Sequence, residues 1–155
     1  MRQSRIDQKD QQLASYLHEA YRGTARLCLN RVSGFGPFVR QPKREIINHL
    51  KSIFSEDGCR RLAPQNRIPI TISEAGLALA LRGSNLSAKD LFDLSNDTLP
   101  LLKVPQNIEV VCLHGRQRIE AGREYLAPDD QWWAVDIYLQ CSCANLIDSG
   151  ELNYL

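Results

Sequence analysis

The stretch VVCLHGRQRIEAGREYLAPDDQWWAVDIYL, Val110 to Leu139, constrains the fold more than any other part of the chain. Ile108 to Leu113 is largely apolar and includes the β-branched Ile108, Val110 and Val111, so it reads as a strand. Gly115 interrupts that run, and Arg116 to Leu126 continues as a helix. A polar turn then leads into QWWAVDIYL. There Trp133, Val135, Ile137 and Leu139 alternate with Asp136 and Tyr138, the period of a half-buried strand. A strand, a glycine turn, a helix and a second strand in close succession need a sheet with helices packed on it. The fold class is therefore α/β (α+β), a small mixed sheet flanked by helices.

The rest of the chain supplies compatible elements. Residues 5–21, RIDQKDQQLASYLHEAY, form an amphipathic helix with Ile6, Leu13, Tyr16, Leu17 and Ala20 towards one side, ended by Gly23. ARLCLNRV follows as a strand carrying Leu27, Leu29 and Val32. SGFGPFVRQP is a loop, because its glycines and prolines break any regular element. KREIINHLKSIF is a helix with a stripe of Ile46, Ile47, Leu50, Ile53 and Phe54, stopped near Gly58. Ile68 to Ile72 is a short strand. Ser73 caps a helix whose core positions are Leu77, Ala80 and Leu81, and Ser87 caps a second short helix, SAKDLFDL. SNDTLPLLKVPQN is a connection.

At 155 residues, 43% of them apolar and 24% charged, the chain has the material for one self-sufficient core. It divides into an N-terminal helix at 1–22, a domain at 23–140, and the start of a C-terminal element at 141–155. The apolar residues of LIDSGELNYL suggest that this last element belongs to a longer product. A net charge of +1 excludes a global nucleic-acid signature, so any basic site must arise by local clustering. No apolar run is long enough to span a membrane, and MRQSRIDQKDQQ lacks the core of a signal peptide. The five scattered cysteines read as reduced thiols of an intracellular protein, nuclear or cytoplasmic. Cys141 and Cys143 form a lone C-x-C, better read as strand-end cysteines than as metal ligands.

The chemistry concentrates at HGRQR. A helix that starts from a tight glycine turn presents unpaired backbone N–H groups and partial positive charge, a combination suited to phosphate. Arg116 and Arg118 stand in that first turn, where cations are unfavourable for the helix itself. An anion resting there would relieve the conflict, and Gly115 would let it approach the backbone. The alternative is a solvated face, with Arg116 paired to Glu120, Glu120 reaching Arg123, and Arg118 pinning a loop. Spacing alone leaves both open.

LHGRQRIEAGREYL…WWAVDIYL resembles the ParB/sulfiredoxin superfamily motif: strand, G-x-x-R, helix, strand. RQPKREIINHLKSIFSEDGC is similar to the ParB pattern of a Q-P-[RK] loop followed by an L-x-x-S-I helix and a glycine turn. Gln41, Pro42, Lys43, Leu50, Ser52 and Ile53 fall in register, with Gly58 near its expected place. Taken with GTARLCLNRV and GCRRLAPQNRIP, these blocks, over roughly Gly23 to Leu139, resemble a large uncharacterised fungal family, a domain of unknown function often carried by giant fungal mobile elements. The resemblance implies a ParB/sulfiredoxin-like single domain.

It also implies that the G-x-x-R turn holds nucleotide phosphates through Arg118. Arg116 occupies the place of the relatives' catalytic glutamate, or of the reactive cysteine of sulfiredoxins, so catalysis does not transfer. Cys112, on the strand side, is a poor substitute, and Glu120 is a helix-surface residue. The comparison sets the loop of Arg40, Lys43 and Arg44 beside the nucleotide. Arg60 and Asn66 are further candidates, with guanidinium forks suited to phosphate oxygens and an amide able to read a base edge or cap a turn. Arg61 and Arg67 read as solvated loop charges. Cys59 has basic neighbours but reads as a structural thiol, and His114 has no partners for a metal site. Trp133 belongs to the core, whereas Trp132 suits a pocket wall or partner contact.

The resulting expectation is a module that binds a nucleotide or other phosphorylated ligand at Gly115–Arg118. Arg116 and Arg118 would touch phosphate, Gly115 and Gln117 would supply the turn and hydrogen bonds, and Arg40, Lys43, Arg60 and Asn66 would complete the site. A nucleoside triphosphate with magnesium is the cofactor that the resemblance implies. The competing expectation is a DNA- or protein-interaction module that uses no nucleotide, and an active enzyme is the weakest reading.

Overall fold

A computed structural model of the chain describes residues 15, 17–37, 39–93 and 99–140. The element order is β1 (Tyr21–Cys28), β2 (Gly34–Phe35), α1 (Arg44–Asp57), β3 (Ile68–Ile72), α2 (Glu74–Ser84), β4 (Val110–Cys112), α3 (Arg116–Tyr125) and β5 (Trp132–Leu139). Short 3-10 turns occupy Leu29–Arg31, Pro64–Asn66 and Ala88–Phe92. The strands form one five-stranded sheet in the order β1-β5-β3-β4-β2. β1 runs antiparallel to β5, β5 parallel to β3, β3 antiparallel to β4, and β4 parallel to β2. This is the mixed α/β architecture that the alternating patterns demand.

The alternation in β5 does what its period dictates. Trp133, Val135 and Ile137 are fully buried and pack with Ile68, Ile70 and Ile72 of β3, while Asp136 and Tyr138 are only half-buried. α3 lies against this layer through Ile119, Ala121 and Gly122. A Cβ at Gly122 would stand 2.8 Å from Leu29 Cδ1 and 3.5 Å from the Trp133 ring, so glycine sets how closely α3 approaches β5. α1 joins the same layer through Phe54, whose ring centroid lies 5.5 Å from Trp133 and 5.7 Å from Tyr125. Two helices thus converge on one end of the buried sheet face.

Several local expectations are met. Gly58 caps α1 with φ 83°, Ser73 Oγ accepts from the Gly76 N–H, and Ser87 and Asp90 form a reciprocal capping box. Others need correction. Tyr21 and Arg22 belong to β1, not to a preceding helix, and Gly23 lies within the strand at φ 118° beside a register shift. Cross-strand packing of Tyr21 on Tyr138, with ring centroids 5.5 Å apart, overrides the helical spacing. The loop around Gly34 and Phe35 contributes β2, a strand too short to leave a periodic trace. In the α1 stripe Ile47 and Phe54 are buried, but Ile46 and Ile53 are exposed, because α1 packs by a narrower face than its apolar content suggests.

No helix among the described residues is long and apolar enough to cross a membrane. Cys28, Cys59 and Cys112 are unbridged. The C-x-C pair, LIDSGELNYL and most of the N-terminal helix lie outside the described residues.

Candidate functional site

β4 ends at Cys112, and the chain stays tied to the sheet by the Leu113 N–H, which donates to Pro69 O at 2.9 Å. It then turns at Gly115, whose φ of 94° and ψ of 24° lie in the left-handed region. Gly115 caps α3 without a side-chain oxygen, and no acidic residue stands in the first turn. Into this helix end opens a cavity of about 550 Å³, walled by Arg40, His114, Gly115, Arg116, Gln117 and Arg118, with Val39, Leu50 and Leu113 on its apolar side. Among the described residues it is lined by three arginines and no carboxylate.

None of these cations is neutralised by an ion pair among the described residues. Arg116 does not meet Glu120, which pairs with Arg123 at 3.5 Å. Its guanidinium instead lies over the Phe35 ring, 4.3 Å from the centroid, and its buried Nε has no hydrogen-bond partner. Arg118 is half-buried, and its Nη1 donates to Asn66 O at 3.2 Å. Burial holds its pKa below the ordinary arginine value. Gln117 Oε1 accepts a long bond, 3.4 Å, from the Lys43 backbone N–H, which draws the Q-P-K loop against the G-x-x-R turn.

A second cavity of about 320 Å³ adjoins the first and shares Leu50 and Arg118 with it. Its walls include Phe54, Trp133, Ile53 and Cys59, with Asp57, Arg60 and Asn66 as polar members. Asn66 organises this side. Its carbonyl accepts from Trp133 Nε1 at 2.8 Å as well as from Arg118, and its Nδ2 donates to Arg60 O at 3.2 Å, holding Arg60 at φ 49°. Arg40, Arg60 and Arg118, far apart in sequence, therefore border one two-chambered cleft.

Other expected members lie elsewhere. The Lys43 side chain lines neither chamber; the residue contributes its backbone. Arg44 pairs with Glu124 at 2.6 Å, joined by Lys51 at 3.3 Å, and the Arg44 hydrogen bond holds that carboxylate below its usual range. Trp132 is not a wall of the cleft. Arg61 stacks on it at 3.8 Å while also bridging to Asp130 at 3.0 Å, which consumes the ring face and the cation together. Arg67 is largely buried and faces Asp136 at 3.8 Å, so it is not a solvated charge. Burial raises the Cys59 thiol despite Arg61, and pushes Cys112 up to about 11 against the pull of Arg116, Arg118 and Arg123. Neither thiol is activated.

Phe35 and Val39 enter the site without a prior signal, since both sit in a segment with no periodicity. Leu50, a core position by its sequence pattern, packs against the core and also lines both chambers. Among the described residues no group of three or more His, Cys, Asp or Glu side chains could hold a metal ion.

Residues 20–151 match the family model described as the N-terminal domain of a protein of unknown function, DUF3723, and the chain belongs to that family. No curated protein and no solved structure matches it.

Proposed function

We propose that the domain is a binding module for a nucleotide or other phosphorylated ligand, held at the Gly115–Arg118 turn. The observation that carries this reading is the cavity at the start of α3, where Arg40, Arg116 and Arg118 face one space with no carboxylate in its wall and no ion-pair partner among the described residues. Three cations brought together at a positive helix end repel one another, and an anion relieves that repulsion. Backbone N–H groups of the first turn and the guanidinium forks are the donors that phosphate oxygens take.

The reading includes a ParB/sulfiredoxin-like relationship, in a fungal family travelling with mobile elements. Its support is the order of the sequence blocks, together with the contact between the Q-P-K loop and the G-x-x-R turn. Arg116 in place of a catalytic glutamate or cysteine favours binding over turnover. A nucleoside triphosphate would bring magnesium on its phosphate oxygens, where the ion keeps several of its waters.

Isothermal titration with inorganic pyrophosphate and with nucleoside triphosphates, each with and without magnesium, tests the proposal. Saturable one-site binding is the expected result. Absence of heat for every phosphate, accompanied by salt-sensitive binding of random DNA, would replace it with the nucleic-acid reading.

A further inference from the structure

α1 carries more apolar surface than its packing uses, and the excess lies beside the arginines. Ile46, Leu50 and Ile53 stand at i, i+4 and i+7, so they share one side of the helix. Ile47 and Phe54 turn into the core, and Arg44 and Lys51, on the other flank, close onto Glu124 of α3. The remaining stripe faces the cleft: Leu50 lines both chambers and Ile53 the second. Among the described residues nothing covers the two isoleucines, which stay 40% and 36% exposed. Val39 and Leu113 continue the apolar surface into the arginine chamber. Singly exposed isoleucines are ordinary, but two aligned beside a cavity of unpaired cations make a surface for apolar and anionic groups together.

That pairing narrows the class of phosphorylated ligand. Free phosphate or polyphosphate has nothing to set on the stripe. A nucleotide base finds no stacking face in the second chamber, because the Phe54 and Trp133 rings beside it are buried in the core. A phosphorylated side chain of a protein brings both parts: a dianion for the guanidinium forks and neighbouring aliphatic groups for the stripe. From Ile46 to Ile53 the stripe runs roughly 10 Å, the reach of about three residues of extended chain.

We infer that the cleft is a docking site for a phosphorylated protein segment, a phosphoserine or phosphothreonine with aliphatic residues within about three positions of it. The inference rests on the phosphate reading above and names its partner class. Arg40, Arg116 and Arg118 hold the phosphate, and Ile46, Leu50 and Ile53 take the aliphatic neighbours. Among the described residues no carboxylate lines the arginine chamber, so the dianion meets complementary charge alone there.

Fluorescence anisotropy tests this with a short labelled synthetic peptide carrying a central phosphoserine and a leucine three residues to either side. Its controls are the same peptide with serines in place of the leucines, the unphosphorylated form, and oligothymidylate, with pyrophosphate and uridine diphosphate as competitors. The leucine phosphopeptide should bind at least about tenfold more tightly than the serine phosphopeptide, the gain expected from burying one aliphatic side chain. The double variant Ile46→Gln/Ile53→Gln, at exposed positions and with its melting temperature checked, should erase that gain and leave the serine phosphopeptide and pyrophosphate unchanged. A gain that survives in the variant would overturn the inference. Equal binding of the two phosphopeptides, or of the leucine peptide with and without its phosphate, would also overturn it, while pyrophosphate binding would keep the phosphate site. Tighter binding of oligothymidylate or uridine diphosphate than of the leucine phosphopeptide would give the cleft to another phosphate carrier. If no phosphate compound binds, the phosphate reading itself falls.

Discussion

Arg118→Ala separates binding from folding, because the structure fixes how little else the residue does. Among the described residues its guanidinium makes one hydrogen bond, to Asn66 O at 3.2 Å, and that carbonyl keeps a second donor in Trp133 Nε1 at 2.8 Å. Losing the bond costs about 1.5 kcal/mol, the low end for a charged donor because its acceptor keeps a second donor, and removing a half-buried cation returns part of it. The melting temperature should therefore move by no more than about 2–4 °C for a domain of this size. A charged hydrogen bond to phosphate is worth about 1.5–3 kcal/mol, which corresponds to a roughly 10- to 150-fold loss of affinity. Calorimetric titration of wild type and variant with pyrophosphate at one ionic strength reads that ratio directly. Affinities within about twofold of each other, in a variant that melts normally, would refute the placement of Arg118 at the ligand.

Three further outcomes follow from the packing. Gly23→Ala should lower unfolding stability by at least about 2 kcal/mol in urea, since φ is 118° and the new Cβ would sit 2.5 Å from Leu91 Cβ and O. Ser73→Ala removes the acceptor for the Gly76 N–H, 3.0 Å away, and should cost about 1 kcal/mol by the same measurement. The Cys112 thiol keeps its proton in the folded state up to about 11, whereas the ordinary thiol releases it near 9.0. The unfolded chain then binds fewer protons between those values, so stability falls across that window, by up to about 2.5 kcal/mol, and is unaffected by this group below it. Urea titrations at pH 8 and pH 10.5 should show the fall, and Cys112→Ala should flatten it; an equal fall in the variant would assign the effect to other groups.

Much of the element list is legible from the residues alone. Ile68–Ile72 occupies its expected bounds, and β5 and α3 come within a residue of theirs, because period and capping are local properties. β1 and β2 depart from expectation for a common reason: Tyr21 and Phe35 owe their strand geometry to partners more than seventy residues away. The site divides in the same manner. The Gly115 turn and the arginines after it stand out by their conflict with the helix dipole. The fate of each basic residue does not, because Arg44, Arg61 and Arg67 resemble Arg40 and Arg60 until Glu124, Asp130 and Asp136 are brought against them.

By itself the chain determined the alternation of strand and helix, the glycine turn at Gly115 and the two cations close behind it. These depend on side-chain periodicity and on backbone freedom within a few residues. The tertiary structure decided which charges cancel and which remain unpaired, that Trp132 is stacked by Arg61 and withheld from the cleft, and that Leu50 and Arg118 join two chambers. Those outcomes depend on distances between segments remote in sequence, and electrostatic and packing energies are set by such distances, not by residue order.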